Sequence, residues 1–100
     1  MVKEIKDTEY KDIVKSNKKV VIDCFANWCG PCKMLSPVID SLAEEYNDIS
    51  FYKIDVDNAE VITKDFNIMS IPTLLIFEDG NLKEKVVGLR SKSEIEDLLK

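Results

Sequence analysis

The sequence predicts an α/β fold in which helices cover both faces of a sheet. Strand-like and helix-like segments follow one another in the order β-α-β-α-β-α-β-β-α, which indicates crossovers between parallel strands and one terminal hairpin. The chain has 100 residues, of which 45% are hydrophobic and 33% are charged, the size and balance of one globular unit. A single domain over residues 1–100 is therefore expected.

Five segments have the composition of strands. Apolar and β-branched residues run almost without interruption from Val20 to Ala26, which is typical of a strand buried on both faces at the centre of a sheet. Thr73–Phe77 is a second such run, and the Asp79-Gly80 pair after it is a tight-turn signal that joins it to Leu82–Val87 as a hairpin. The predicted strands cover residues 2–5, 20–26, 49–55, 73–77 and 82–87.

Four segments carry apolar residues at helical spacing. The longest extends from about Pro31 to Tyr46, with polar residues between the apolar positions. Asp7 or Thr8 is the candidate cap of the first helix, and a capping box that begins at Ser91 marks the start of the last one. The predicted helices cover residues 7–16, 31–46, 59–66 and 91–99.

Charge and residue counts exclude several classes of function. The formal net charge is −5 and no basic cluster is present, so nucleic acids and anionic membranes are not expected partners. The chain contains no histidine, which excludes Cys-His proteases, Ser-His-Asp hydrolases and histidine-ligated metal sites. No apolar run approaches the ~20 residues that span a bilayer. The N-terminal residues lack the apolar core of a secretory signal, so a cytoplasmic protein is expected.

Cys29 and Cys32 are the candidate reactive pair. They follow a predicted buried strand and begin a predicted helix. In this context, two cysteines separated by two residues indicate a redox-active pair. Unpaired amide groups and the helix dipole would favour a thiolate on Cys29, the sulfur expected at the exposed end. Pro31 suits the first helical turn because it has no N–H to leave unpaired, and Gly30 removes side-chain bulk beside the attacking sulfur.

The cysteine pair predicts a two-step exchange with another protein. Cys29 attacks a disulfide of the partner, and Cys32 then attacks the mixed disulfide and releases the reduced partner. The alternatives are a zinc site and a pair of packing cysteines. A zinc site needs four ligands and Cys24 is the only other thiol, and simple packing is disfavoured because Gly30-Pro31 builds an exposed helix start. Cys24 lies in the central strand and is interpreted as a small buried hydrophobic residue. The sequence has no glycine-rich nucleotide fingerprint, so the electrons must come from another protein.

A longer motif surrounds the pair and continues downstream. It consists of Phe25-Ala26-Asn27-Trp28-Cys29-Gly30-Pro31-Cys32-Lys33-Met34, then Ile71-Pro72-Thr73, then Gly80 and Gly88. Together these residues resemble the thioredoxin family, and the resemblance extends almost from end to end. It implies the thioredoxin fold, a central mixed five-stranded sheet flanked by four helices. It also implies a protein-disulfide reductase whose redox group is the Cys29–Cys32 disulfide, with no other cofactor and no metal.

The resemblance implies partners as well as chemistry. A thioredoxin reductase would re-reduce the cysteine pair, and the clients would include peroxiredoxins, methionine sulfoxide reductase and ribonucleotide reductase, with the chain acting as a monomer. The Gly30-Pro31 dipeptide resembles the reducing members, whereas isomerases and oxidants of this fold usually carry other residues there. Two alternatives stay open: an oxidase or isomerase with the same chemistry, and a binding module of the same fold.

Two further residues are expected to assist Cys32. Asp23 interrupts the apolar central strand, where an ionised carboxylate is costly unless it is solvated, paired or protonated. By resemblance it corresponds to the buried aspartate of the family, which takes the proton of the resolving cysteine, and Lys53 corresponds to its lysine partner. Burial should raise the pKa of Asp23.

The resemblance also implies a surface on which clients dock. The Ile71–Pro72 peptide bond is expected to be cis and to face the cysteines, so that the Ile71 backbone pairs with an extended client peptide. Trp28 is expected to shield the disulfide. A flat apolar docking surface would then be formed by Trp28, Gly30, Pro31, Ile71 and Gly88.

Overall fold

The computed structural model describes residues 2–100, and its strands form one mixed five-stranded sheet. The strands are β1 (Lys3–Glu4), β2 (Lys19–Phe25), β3 (Ser50–Asp55), β4 (Thr73–Glu78) and β5 (Asn81–Val87). They lie in the order β1-β3-β2-β4-β5. β3 is parallel to both β1 and β2, whereas β4 is antiparallel to β2 and to β5. The apolar run in β2 therefore predicts the central strand correctly.

Helices cover both faces of this sheet, as the sequence predicts. They are α1 (Tyr10–Ser16), α2 (Gly30–Glu45), α3 (Glu60–Asp65) and α4 (Lys92–Leu99). Successive residues of β2 point into two different cores: Val21 packs with α2 and α4, whereas Val20 and Ile22 pack with α1 and α3. No helix within residues 2–100 has both the length and the apolar content of a membrane span.

The prediction that Asp7 or Thr8 caps the first helix is wrong. The N-cap of α1 is Glu9, and its side chain makes no capping hydrogen bond. The Asp7 carboxylate instead accepts hydrogen bonds from the backbone N–H groups of Val61 and Ile62, at 2.8 and 3.0 Å. These amides open α3, a helix too short to be stable without outside contacts. Asp7 therefore caps a helix more than fifty residues away, a contact that only the tertiary fold creates.

Two other local signals are confirmed. Asp79 and Gly80 have φ angles of +52° and +83°, the left-handed backbone that a tight hairpin turn of this twist requires. At α4, the Ser91 hydroxyl accepts from the Glu94 N–H at 3.2 Å, and the Glu94 carboxylate accepts from the Ser91 N–H at 3.1 Å. The capping box is therefore complete.

A short 3-10 turn, Val56–Asn58, follows β3 and is missing from the elements that the sequence predicts. The Asp55 carboxylate accepts hydrogen bonds from the Asp57 backbone N–H at 3.0 Å and from the Asn58 side-chain amide at 3.4 Å. Such bonds from a short polar side chain to its own chain segment stabilise a tight turn locally. This turn brings Asp57 to the same edge of the sheet as the cysteine pair.

Replacing Asp7 by alanine should destabilise the protein by about 1 kcal/mol, the usual contribution of a helix cap. The cause is loss of both acceptors for the amides that open α3. Urea unfolding followed by circular dichroism measures the change. Thr8→Ala is the matched control because Thr8 is the exposed neighbour and caps nothing. Equal stability of the two variants would show that the Asp7 cap contributes nothing.

Candidate active site

The predicted cysteine pair lies where β2 ends and α2 begins. Cys29 is the N-cap of α2, and its sulfur accepts a hydrogen bond from the backbone N–H of Cys32 at 3.2 Å. The two residues form a disulfide, with their Cα atoms 5.3 Å apart. Pro31 occupies the first turn, where its missing N–H leaves no donor unpaired. The Cys29 sulfur therefore lies at the positive end of a sixteen-residue helix.

Both cysteines are covered in the disulfide form. Each exposes 4% of its surface, so the expectation that Cys29 is the exposed sulfur is wrong for this state. They pack with Ala26, and Val56 and Ile71 partly cover the cluster. The two cysteines line different pockets. Cys29 lines a groove on the surface, whereas Cys32 lines a smaller, partly open cavity, which we call the inner cavity.

The groove beside Cys29, which we call the client groove, has a volume of about 620 Å³ and no charged residue in its lining. It is lined by Trp28, Cys29, Gly30, Pro31, Val56, Thr63, Ile68, Met69, Ser70 and Ile71. Four of the residues predicted to dock clients therefore lie side by side. Met69 at the rim is 85% exposed. An uncharged groove with exposed apolar side chains fits an extended peptide better than it fits an ionic ligand.

Pro72 and Gly88 lie next to the client groove but do not line it. The Ile71–Pro72 peptide bond is cis, as the resemblance implies, and the Ile71 carbonyl oxygen is 3.9 Å from the Cys29 sulfur. Pro72 is buried, and its carbonyl oxygen accepts a hydrogen bond from the Gly88 N–H at 2.8 Å. Gly88 has a φ of +94°, which favours glycine at this position. Gly88 therefore supports the segment that carries Ile71.

Trp28 is held at the site by a contact that sequence reasoning missed. Its side chain is 70% exposed, and its indole N–H donates a hydrogen bond to the Asp57 carboxylate at 2.9 Å. Asp57 belongs to the 3-10 turn after β3 and is distant from Trp28 in the chain. The local signal in the sequence was the cluster of turn-forming polar residues Asp55, Asp57 and Asn58. Such a cluster indicates a turn but does not indicate which side chain the turn will contact. The indole ring is thereby oriented at the edge of the client groove.

The inner cavity brings Cys32 together with both residues predicted to assist it. Its volume is about 150 Å³, and Asp23, Cys32, Ser36 and Lys53 are among its lining residues. Asp23 and Lys53 are register partners on the neighbouring parallel strands β2 and β3. The Lys53 ammonium group also lies 5.8 Å from the centre of the Phe25 ring, within the range of a cation–π contact. Sequence reasoning did not identify Ser36.

Asp23 is a buried carboxyl group with an unpaired oxygen. It is 4% exposed, and its Oδ1 atom has no hydrogen-bond partner in the part of the chain described. Burial raises its pKa from 3.8 to about 7, the positive charge of Lys53 opposes this rise, and the negative charge of Asp40 adds to it. A carboxyl group with a pKa near neutral exchanges protons at the pH at which a thiol reaction occurs.

Cys24 faces away from the redox site, in the core beneath α1 and α3. Burial raises the pKa of its thiol, and the nearby Asp23 carboxylate raises it further. Because the thiolate is the reactive and metal-binding form, this thiol is inert. Within residues 2–100, no three histidine, cysteine, aspartate or glutamate side chains are grouped as a metal ion would need. The interpretation of Cys24 as a buried hydrophobic residue is confirmed.

Comparisons with known proteins agree with this geometry. The family model described as Thioredoxin matches residues 1–100. Thioredoxin from Mycoplasmoides gallisepticum is 45% identical over 92 residues, which cover 92% of each chain. The solved structure of Plasmodium falciparum thioredoxin has a TM-score of 0.90 at 32% identity and covers 98% of this chain and 96% of its own.

A further solved structure has a TM-score of 0.88 at 35% identity, covering 96% of this chain and 91% of its own. That chain comes from a structural study of the thiol resolving mechanism in yeast mitochondrial 1-Cys peroxiredoxin via glutathione/thioredoxin systems. Both solved structures are similar to this chain in fold and in sequence over nearly the whole length.

The buried Asp23 should make stability fall as the pH rises. Its folded pKa of about 7 exceeds the ordinary 3.8, so between these values the unfolded chain releases a proton that the folded chain retains. The contribution of Asp23 to the free energy of unfolding should therefore fall between about pH 4 and about pH 7 and then level off, by up to about 4 kcal/mol.

Asp23→Asn should remove this fall, because the amide does not titrate. Urea unfolding of the oxidised protein at a series of pH values measures it. The matched control is Asp48→Asn, which changes an exposed aspartate and should keep the wild-type pH dependence. An unchanged slope in Asp23→Asn would show that Asp23 does not bind the proton.

Proposed function

This chain belongs to the thioredoxin family and is a thiol-disulfide oxidoreductase, and we propose that it transfers electrons to disulfides of client proteins. The observation that carries this proposal is the Cys29–Cys32 disulfide at the N-terminus of α2, beside an uncharged groove. The direction is supported by Gly30-Pro31 between the cysteines, which resembles the reducing members of the family. An oxidant or isomerase would use the same two sulfurs with a higher redox potential.

The first step is the attack of Cys29 on the client. Its thiolate forms a bond to one sulfur of the client disulfide, and the other client sulfur leaves as a thiolate that takes up a proton. The hydrogen bond from the Cys32 N–H supports this role, because a backbone donor and the positive end of α2 both favour negative charge on the Cys29 sulfur. Cys29 is thus the nucleophile.

The second step is the release of the client by Cys32. The Cys32 thiol loses its proton, its sulfur attacks Cys29, and the bond between Cys29 and the client breaks. Two protein thiols have then been oxidised to one disulfide, and one client disulfide has been reduced by two electrons. Asp23 takes the proton of Cys32 as general base, and Lys53 favours the carboxylate form that can accept it. The cavity that these three residues share supports the assignment.

Clients bind across the client groove. The Ile71 backbone lies close to the Cys29 sulfur and pairs with an extended client segment as a short added strand. Pro72 and Gly88 hold that backbone in place. Trp28, Gly30 and Pro31 also line the groove. A Cβ atom on Gly30 would have no atom from another part of the chain within 4 Å, so the small size of Gly30 serves the client rather than the fold.

The partners follow from this chemistry. A thioredoxin reductase restores the dithiol, and the clients include peroxiredoxins, methionine sulfoxide reductase and ribonucleotide reductase. The similarity to a chain from a structural study of a peroxiredoxin and the thioredoxin system supports the first of these clients. We assign the chain to the cytoplasm, where reduced thiols persist, and to a monomer with one domain over residues 1–100. The acidic balance supports the absence of nucleic acid and membrane partners.

Cys32→Ser should trap the client on Cys29, because the first step remains possible and the second does not. The measurement is reduction of insulin by NADPH and a thioredoxin reductase, with the mixed disulfide detected on a non-reducing gel. Cys29→Ser should be inactive and form no adduct, and Cys24→Ala is the control that keeps both steps. Wild-type turnover by Cys29→Ser would overturn the mechanism. Preferential oxidation of dithiols under the same conditions would reverse the direction.

Client release should become faster as Asp23 ionises, because only the carboxylate accepts a proton. Wild-type rates should therefore rise through about pH 7, the pKa of Asp23, and Asp23→Asn should lose this rise and at least about tenfold in rate. Lys53→Met should move the midpoint to higher pH, because Lys53 lowers the pKa of Asp23. Single-turnover oxidation by insulin measures the profiles. Identical profiles for wild type and Asp23→Asn would remove Asp23 from the mechanism.

A further inference from the structure

Ser36 places a hydroxyl group in the inner cavity. It lies on α2 one helical turn after Cys32, so both side chains project from the same side of the helix. Ser36 is half-buried and lines the cavity that also contains Asp23. The proposed function gives this side chain no role, although it lies beside the two groups between which a proton must move.

The carboxyl group of Asp23 needs a polar neighbour that the surrounding chain does not supply directly. Its Oδ1 atom is buried without a hydrogen-bond partner within residues 2–100, and unpaired buried oxygens are rare exceptions in folded proteins. The cavity volume of about 150 Å³ exceeds the ~10–15 Å³ that a cavity needs, on the same measure, to hold one water molecule. Its polar lining can therefore hold water in contact with that oxygen.

Ser36 differs from the other polar groups that line the cavity. Lysine ammonium groups, here those of Lys33 and Lys53, only donate hydrogen bonds, whereas a hydroxyl both donates and accepts. Asn27 is the other neutral polar residue in the lining, but it is exposed at the rim. Ser36 is thus the half-buried neutral side chain in this lining whose hydroxyl can accept one hydrogen bond from water and donate another to a second acceptor.

We propose that Ser36 is a positioning residue for the proton path from Cys32 to Asp23, its hydroxyl orienting water in the cavity that the three residues share. This inference rests on the proposed function, in which Asp23 takes the proton of Cys32. The proton leaves the Cys32 sulfur, passes through water held by the Ser36 hydroxyl, and arrives on the Asp23 carboxylate. The Cys32 thiolate then attacks Cys29, and the client sulfur leaves as a thiolate that takes up a proton from water. Ser36 itself is neither oxidised nor consumed.

The charged groups around this path stay the same when Ser36 is changed. Two charged residues besides Asp23 line the cavity, Lys53 on β3 and Lys33 on α2. Asp40 on α2 and Lys53 are the charges that change the pKa of Asp23. Replacing Ser36 by alanine alters none of them and removes only the hydroxyl group. An effect of Ser36→Ala on proton transfer would therefore come from the lost hydrogen bonds and not from a changed charge.

The test compares Ser36→Ala with Ser41→Ala, a control in the same half-buried setting on α2 but outside the cavity lining. Single-turnover oxidation of the reduced protein by insulin is measured from about pH 6 to about pH 9, the range in which Asp23 and a thiol titrate. We expect Ser36→Ala to be slowed by about threefold to tenfold, the equivalent of one hydrogen bond. Alkylation of Cys29 by iodoacetamide should not change, because the first step does not use this path.

A double-mutant cycle separates this role from a structural one. Once Asp23→Asn has removed the proton acceptor, adding Ser36→Ala should slow the reaction no further. Thermal unfolding should show no loss of stability in Ser36→Ala, since alanine favours a helix more than serine does. Equal slowing in the two backgrounds, or Ser36→Ala rates equal to those of Ser41→Ala at every pH, would overturn the inference.

The same experiment distinguishes failure of the inference from failure of the proposed function. If Asp23→Asn is slow and Ser36→Ala is not, the proton acceptor stands and only the role of Ser36 falls. If Asp23→Asn itself reacts as fast as wild type, the assignment of Asp23 falls, and the role of Ser36 falls with it.

Discussion

The hydrogen bond from the Cys32 amide to the Cys29 sulfur is the contact on which the redox site depends. It makes one sulfur atom both the cap of α2 and the reacting atom, so the start of the helix and the chemistry occupy the same place. β2 is buried on both faces, so packing fixes the strand that leads into this site. A site built on rigid elements keeps the two sulfurs within bonding distance.

The second constraint is a carboxyl group placed where a folded protein would normally avoid one. Asp23 lies on the face of β2 that α2 covers. Two nearby charges change its pKa in opposite directions, since Lys53 lowers it and Asp40 raises it. A hydrophobic residue there would give a more stable core. Sites that lower stability while serving the reaction are common in enzymes, and the cavity that Asp23 shares with Cys32 supports the proposal that this is such a site. In the proposed mechanism, the client groove beside Cys29 serves the first step and the inner cavity beside Cys32 serves the second.

Much of the fold was predictable because its signals are local. The apolar run of β2, the Asp79-Gly80 turn and the Ser91 capping box each depend on residues close together in the chain, and each is confirmed. Asp7 shows where such reasoning ends. Its position before a helix predicted a local cap, but the side chain reaches the amides of α3 instead. A capping signal in the sequence identifies a side chain that can accept hydrogen bonds from backbone N–H groups. It does not tell which N–H groups the fold places beside that side chain.

The sequence by itself determined the redox chemistry of this protein, because a cysteine pair separated by Gly30-Pro31 at a helix start needs only its own local geometry. It also identified Asp23 as a carboxyl group inside an apolar strand, and the burial of this group was implied by the family resemblance. Only the tertiary structure decided which groups face that pair. The Asp57 carboxylate accepts a hydrogen bond from Trp28, and the Ile71 carbonyl oxygen lies beside the Cys29 sulfur. Ser36 lines the same cavity as Asp23. Residues distant in the chain meet through sheet order and helix packing, and no spacing within one segment encodes those distances.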